Sequence, residues 1–406
     1  MAASTLSFPA AKTPAKPADE FRLLCECAVP GRSSLSGPAP EDYKGVHWDR
    51  FLQLAEHHGV LALVARNLSN AAKVPAEVIS FLRSAYATNL RRNLSFTAEL
   101  ARILGHFSRT GVRTLSYKGP VLAQAAYGDL GCRTFNDLDL LIPPADYERA
   151  KQALGEIGYQ PSDELPPAVE RLFLRTGYER AFDGAAGKNL VELQWNLLPY
   201  FYAVDFKAGE FRVKDLLARA ASIKLDAAEV PCLSPEDSLL VLCLHAAKHL
   251  WTRLIWIVDI LKTLQARDLD FALVAARAQA MGITRILGVS CWLAQELAGA
   301  ELAGTELDSA ALPPAAQDLC ARDSEVCVIG EECLSRLSRA ATYDFESTDY
   351  FRWIWKLRER PRDRWRYLWR LARTPGVGEI AAIRLPEILF PLYRVVRIGR
   401  LLCKLA

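Results

Sequence analysis

The 406-residue chain lacks a dominant charge: 50 Lys and Arg against 47 Asp and Glu leave a net +3. A surface that is basic throughout, as a general polyanion binder needs, is excluded, so any basic patch must be local. Paired Cys-x-x-Cys spacings are also missing. The ten cysteines are scattered, and Cys25 and Cys27 form a lone C-x-C pair. A zinc ribbon is not indicated, and reduced thiols of a cytosolic protein are the simpler reading. No long apolar run is free of charge. The most apolar stretch, 238–264, carries His245, Lys248, His249, Arg253 and Asp259, which makes it a poor membrane span. The opening MAASTLSFPAAKTPAKPADE is small, polar and Pro-rich and has no apolar signal core. Internal repeats and coiled-coil heptads are absent too. What remains is an ordinary globular protein, long enough for two or three domains and expected in the cytoplasm.

What is present changes character along the chain. Residues 1–20 read as a disordered tail. Residues 21–110 read as helices. Trp48, Phe51, Leu52, Ala55 and His58 fall at helical spacing, Gly59 interrupts them, and a second helix runs from Pro75 to about Ser108. The adjacent Arg91 and Arg92 are expected on a solvated face. After Gly111 the pattern turns mixed. VRTLSY reads as a strand. PVLAQAAYG reads as a short helix with Pro120 at its start and Gly128 after its end. RTFNDLDLLI is a second strand, and 144–157 is an amphipathic helix with Ala150, Leu154 and Ile157 on one face, stopped by Gly158. A helix near 166–177 leads to two strands joined by GAAG. After Pro231 helices resume, with Ser234 as N-cap, Pro235 at the first position and Glu236 and Asp237 in the first turn. Helices continue to about residue 300, and looser ones fill 315–406.

The stretch RTFNDLDLLI places two carboxylates at the mouth of an aliphatic strand. Side chains alternate along a strand. Asp137 and Asp139 therefore share one face, while Leu138, Leu140 and Ile142 enter the core. Two carboxylates side by side repel, and the usual remedy is a divalent cation with oxygen ligands, for which Mg²⁺ is suited. A two-metal site for in-line phosphoryl chemistry needs a third carboxylate. LVELQW supplies Glu192, whose face it shares with Gln194. Upstream, LSYKGPVLAQ is strand, Lys118-Gly119, helix. A helix N-terminus after glycine accepts phosphate, and Lys118 adds a charge. Pro120 removes one donor from that cradle. Arg133, four residues before Asp137, is placed to clamp a triphosphate. Each motif alone is weak, since most D-x-D pairs are turns, caps or ion-pair partners; their order is what counts.

That order resembles the nucleotidyltransferase superfamily related to DNA polymerase β. More narrowly, it resembles the uncharacterised bacterial nucleotidyltransferase family NTP_transf_5. The resemblance rests on YKGPVLAQAAYGDLGCRTFNDLDLLI, ALGEIGY, LVELQW and LCLHAAKHLWTRLIWIVDI, and it covers roughly residues 40–400. It implies an α+β fold: a mixed β-sheet nucleotidyltransferase core over 111–230, flanked by the N-terminal helices of 21–110 and a C-terminal helical domain over 231–406. It implies Asp137, Asp139 and Glu192 as ligands of two Mg²⁺ ions, with Mn²⁺ as a substitute, and Lys118 and Gly119 as the phosphate loop. The expected activity is transfer of NMP from an NTP to an unidentified acceptor (small molecule, sugar, peptide or RNA) with release of pyrophosphate. The alternative is a catalytically inactive nucleotide- or partner-binding module of the same fold. The sequence departs from the broader pattern twice: Lys118 stands where Gly-Gly or Gly-Ser usually begins the loop, and Gln194 where relatives often have His.

Two further regions carry candidate chemistry. HAAKH sets His245 and His249 at i, i+4 with Lys248 beside them. A metal there would lack the glutamate of H-E-x-x-H. A helical domain packed across the cleft would bring His245, Lys248 or His249 to phosphate or acceptor, and the competing reading is buried structural histidines. Asp259 is a candidate ion-pair partner for one of them. The stretch 352–370 holds eight Arg or Lys, four Trp and two acids. Such interleaving binds single-stranded nucleic acid or a membrane surface when it faces outward, and forms a helix pair with Trp inside when it does not. LFPLYRVVRIGRLLCKLA closes the chain as a basic amphipathic tail. For 352–370 the helix pair is the favoured reading; a weak membrane-surface contact through 352–406 is the alternative, and no stable nucleic-acid complex is expected.

Overall fold

The computed structural model describes residues 19–29, 43, 45–68, 71, 73–185, 187–226, 228–302, 313–344, 347–375, 379, 383 and 385–405. The tail expected over 1–20 lies outside them except for Asp19 and Glu20, which open the first helix. Helices α1 (Asp19–Ala28), α2 (Trp48–His57) and α3 (Leu61–Leu68) lead to the 35-residue α4 (Ala76–Thr110). The α/β unit then runs β1 (Leu115–Ser116), α5 (Gly119–Leu122), β2 (Leu138–Leu141), α6 (Tyr147–Glu156), β3 (Gln160–Pro161), α7 (Pro167–Thr176), β4 (Glu179–Gly184) and β5 (Gly187–Gln194). Five strands form one mixed sheet in the order β1-β2-β5-β4-β3. Only β2 and β5 run parallel; the other neighbours are antiparallel. Helix α8 (Val213–Ala218) and a separate hairpin, β6 (Ala221–Leu225) and β7 (Ala228–Cys232), complete the unit.

The sheet sits where its apolar alternation puts it. Leu138, Leu140, Val191, Leu193 and Phe182 share one face and pack on Leu100, Ile103 and Phe107 of α4 and on Ala150 and Leu154 of α6. The opposite face is the one that carries the carboxylates. VRTLSY yields only two paired residues, because β1 meets β2 solely at Leu115 and Ser116.

Helices α9 (Pro235–Lys248), α10 (Leu254–Leu264), α11 (Phe271–Met281) and α12 (Thr284–Leu302) form a second core, joined by α13 (Pro314–Ala321), α14 (Ser324–Leu337), α15 (Thr348–Lys356) and α16 (Pro361–Arg373). The last helix is α17 (Tyr393–Leu405). Ser234 caps α9 by accepting from Asp237 N, as the sequence pattern requires. Phe21, Leu24, Phe51 and Leu63 of the N-terminal helices pack in this same core with Leu239, Ile257 and Leu287. Residues 21–110 thus divide between two cores: α1–α3 join the C-terminal helices, and the second half of α4 backs the sheet. Among the described residues, no helix is long and apolar enough to cross a membrane.

Candidate active site

Parallel pairing of β2 and β5 sets Asp139 directly opposite Glu192. Asp137 precedes β2 by one residue and is half-buried, whereas Asp139 is buried. On the other side of β5, β4 brings Glu179 opposite Gln194 and Ala181 opposite Glu192. Four carboxylates therefore gather on one face of three strands.

Two groups hold the cluster together. Lys118 Nζ donates to Asp139 Oδ1 at 2.9 Å, and both side chains are buried. Gln194 Nε2 donates toward Asp139 Oδ1 at 3.0 Å, Glu192 Oε2 at 3.1 Å and Glu179 Oε2 at 3.2 Å. Its Oε1 accepts from the Tyr117 hydroxyl. That bond fixes which end of the amide faces the acids, because a flipped amide would present oxygen to three carboxylates. Lys118 is the expected loop lysine, yet here it neutralises Asp139. Gly119 has φ +52°, and a Cβ on it would stand 3.4 Å from the Asp137 carbonyl oxygen. Glycine is favoured there by the left-handed backbone; the space itself would admit a Cβ in van der Waals contact with the acidic strand. Helix α5 continues as a π-type turn over Ala123–Tyr127 and ends at Gly128, as expected from its sequence.

Positive charge does not fully balance the acids. Burial, and next to it Asp139, push the Asp137 carboxyl up to about 6. Burial, followed by Asp139 and Glu179, pushes Glu192 up to about 8. Burial works against the charge on Lys118, but Asp139, Glu192 and Asp137 outweigh it and its pKa is raised. A second lysine approaches from α9. Lys248 Nζ donates to the Tyr178 hydroxyl at 2.9 Å and lies 4.6 Å from that ring's centroid, while Tyr178 donates to Glu179. Burial lowers the Lys248 pKa, opposed by Glu179.

The remaining predicted residues surround this centre. Arg133 is buried, and its Nε meets both Asp259 oxygens at 3.1 Å. Asp259 also accepts from Tyr127 at 2.6 Å. The partner of Asp259 is therefore Arg133, not the histidines, and the guanidinium expected to clamp phosphate is engaged across to α10. His245 and His249 lie 4.7 Å apart, ring to ring, with Trp256 at 5.3 and 5.1 Å. Burial, then Lys118, drives His245 well below the usual histidine range. It is a neutral ring near the cluster, able to hydrogen-bond but adding no charge. Arg91 and Arg92 are both exposed, as expected, and Arg92 also donates to the Phe135 carbonyl at 2.5 Å in the loop before β2.

Sequence reasoning missed Glu179, Tyr178 and Tyr117. A signal for Glu179 existed. Counting outward from the Gly184–Gly187 turn puts Glu179 on the same face as Glu192, and the register shift between Phe182 and Gly184 then moves it to Gln194 without changing that face. A cleft of about 420 Å³ opens beside the cluster, lined by Tyr178, Glu179, Glu192, Phe201, Thr374 and Arg397. A larger hollow of about 670 Å³ between α4, α8 and β7 has Glu229 as its single lining carboxylate and lies apart from this chemistry.

The donor set fits a hard divalent cation: all oxygen, strongly acidic in sum, and with two carboxyls held above their ordinary range by burial and by the neighbouring Asp139. The fit lies in donor type and placement. Among the described residues, no three His, Cys, Asp or Glu side chains already converge on a single metal position, and Lys118 and Gln194 occupy part of the space between the acids. No curated protein and no solved structure matches the chain. The family described as uncharacterised nucleotidyltransferase, NTP_transf_5, matches residues 44–299. That span takes in the whole five-stranded sheet, the carboxylates, Lys118 and the helices bearing His245, Lys248 and Asp259. Over more than half its length, then, this chain belongs to that nucleotidyltransferase family.

Proposed function

We propose that the protein moves a nucleoside monophosphate from a nucleoside triphosphate to a hydroxyl or phosphate of an acceptor, with pyrophosphate leaving, as in the DNA polymerase β-like superfamily. The observation that supports this most is the β2–β5 register, which sets Asp139 against Glu192 with Asp137 two residues upstream on the same face. Asp137, Asp139 and Glu192 would hold two Mg²⁺ ions, or Mn²⁺. Bound there, such ions neutralise phosphate oxygens and make an acceptor oxygen more acidic. Glu192 would bind one of these ions and assist deprotonation of the acceptor. Lys118 would share its charge between Asp139 and a phosphate, and Gly119 lets the backbone approach. Lys248 contacts Tyr178, which lines the cleft, and would offer its charge to an anionic substrate, while His245 would offer a neutral donor. Arg133, already paired with Asp259, serves by fixing the loop that leads to Asp137. The family match favours transfer over an inactive binding module.

The test uses labelled ATP, GTP, CTP and UTP with Mg²⁺ and a cell extract, followed by mass spectrometry of the labelled product. Pyrophosphate release is expected with at least one nucleotide. Asp139→Asn should lower it by about 10³-fold, since it removes a charge from the centre of the transition-state field. Unchanged turnover in Asp139→Asn, or in the presence of a chelator, would sink the mechanism. Mg²⁺-dependent nucleotide binding without transfer to any acceptor would return the protein to the inactive-module class.

A further inference from the structure

Residues 361–406 hold ten Arg or Lys and three acids within a chain whose net charge is only +3. They lie wholly beyond the family match, which ends at residue 299. Two of the three acids are covered: Asp363 is buried, and Glu379 is buried against Arg397 and Arg400 at 3.1 and 2.8 Å. The third, Glu387, is exposed and pairs with Arg171 at 2.7 Å. The exposed charge among the described residues of this segment is therefore mostly basic.

Its apolar residues behave in the opposite way. Helix α16 buries Asp363, Tyr367 and Leu371, and turns Arg362, Trp365, Trp369 and Arg373 outward. Trp365 is 70% exposed and Trp369 64%. Arg373 lies 4.4 Å from the Trp369 ring centroid. Helix α17 packs on α16; the chain entering it exposes Ile388 at 85%, and the helix itself exposes Val395 at 64% and then Ile398. Of the fourteen large hydrophobic side chains exposed among the described residues, nine fall between 365 and 398. Apolar side chains gain by leaving water, so this concentration on the surface is unfavourable unless something covers it.

We infer that the exposed face of α16 and α17 docks on an anionic phospholipid surface. Indoles settle at headgroup depth, aliphatics reach the acyl boundary, and guanidinium groups pair with lipid phosphates. The segment lies on the surface and does not span it, since no described helix is long and apolar enough to cross. A second copy of the chain is a poor occupant, because a two-fold contact through this face would set arginines against arginines. Single-stranded nucleic acid would use the indoles and arginines but has no use for Ile388, Val395 and Ile398. The inference does not depend on the transferase reading.

The test is co-sedimentation of the full-length protein with vesicles of phosphatidylcholine alone and of phosphatidylcholine with about one-third phosphatidylglycerol. Binding to the anionic vesicles should exceed binding to the neutral ones and weaken with salt. The Trp365→Ala/Trp369→Ala variant should bind about tenfold more weakly, with an unchanged melting curve. A Val395→Ser/Ile398→Ser variant, on the other helix, should weaken binding in the same direction and serves if the first pair misfolds. The inference is overturned by equal or absent binding to both vesicle types, or by binding that both variants retain. It is equally overturned if the variants abolish self-association or oligonucleotide binding while vesicle binding stays intact.

Discussion

Gln194 is the side chain on which the acidic cluster turns. A primary amide has two N–H donors, and here they serve three carboxylates, each within 3.2 Å, while Tyr117 anchors the oxygen. With Lys118 it is what allows Asp139, Glu179 and Glu192 to approach one another. Gln194→Leu would leave the carboxylates facing an aliphatic group and the Tyr117 hydroxyl without its acceptor. The expected cost is about 1–3 kcal/mol in urea denaturation without divalent cations. Saturating Mg²⁺ should recover part of it, and Gln194→His, which keeps an N–H donor, should cost less. A Gln194→Leu protein as stable as the parent would show that the amide does not hold the cluster. In the sequence, Gln194 stood out only as a departure from the family's histidine. Its role was hidden because, Glu192 apart, its partners Asp139, Glu179 and Tyr117 come from distant segments.

At the scale of elements, strand periodicity was the legible part. RTFNDLDLLI and LVELQW each separate acids from aliphatics by simple alternation, and both faces fall where that alternation puts them. The GAAG turn and the capped start of α9 were equally local, and both formed. What local pattern could not supply was pairing across distance. Arg133 and Asp259 are 126 residues apart, and each had a plausible nearer role, phosphate for one and histidine for the other. Their contact ties the loop before β2 to α10, so it aligns the sheet with the helical core. Asp259→Ala should destabilise by about 3–5 kcal/mol, because a buried guanidinium loses its counter-charge. Adding Arg133→Met to it should recover a substantial share, as both charges are then gone. The check is a double-mutant cycle by urea denaturation, and strictly additive losses would mean that the pair is not coupled.

The whole molecule combines two sets of shifted groups that act in opposite pH ranges. Burial, then His57, lowers His58 from 6.5 to about 3, and burial carries His245 and His249 well below 6.5 as well. Below pH 6.5 the unfolded chain takes up protons that these native rings refuse, so stability present above that pH is lost as the solution is acidified. Glu192 acts the other way. Its native pKa is raised from 4.5 to about 8, so the native state keeps a proton that the unfolded chain has released. That contribution is fully present below 4.5 and is lost as pH rises through 8. Asp137, raised to about 6, adds the same trend at lower pH. The cation-free protein should therefore be most stable near pH 6–7 and lose stability on both sides, read from urea midpoints at intervals across about pH 5–9. Divalent cations compete with the protons on Asp137 and Glu192. Mg²⁺ should accordingly raise the midpoint more at pH 8 than at pH 6 and flatten the alkaline limb, while leaving the acid limb, set by histidines in the helical core and above the cleft, unchanged. Equal Mg²⁺ stabilisation at both pH values would detach the cation from these two carboxylates.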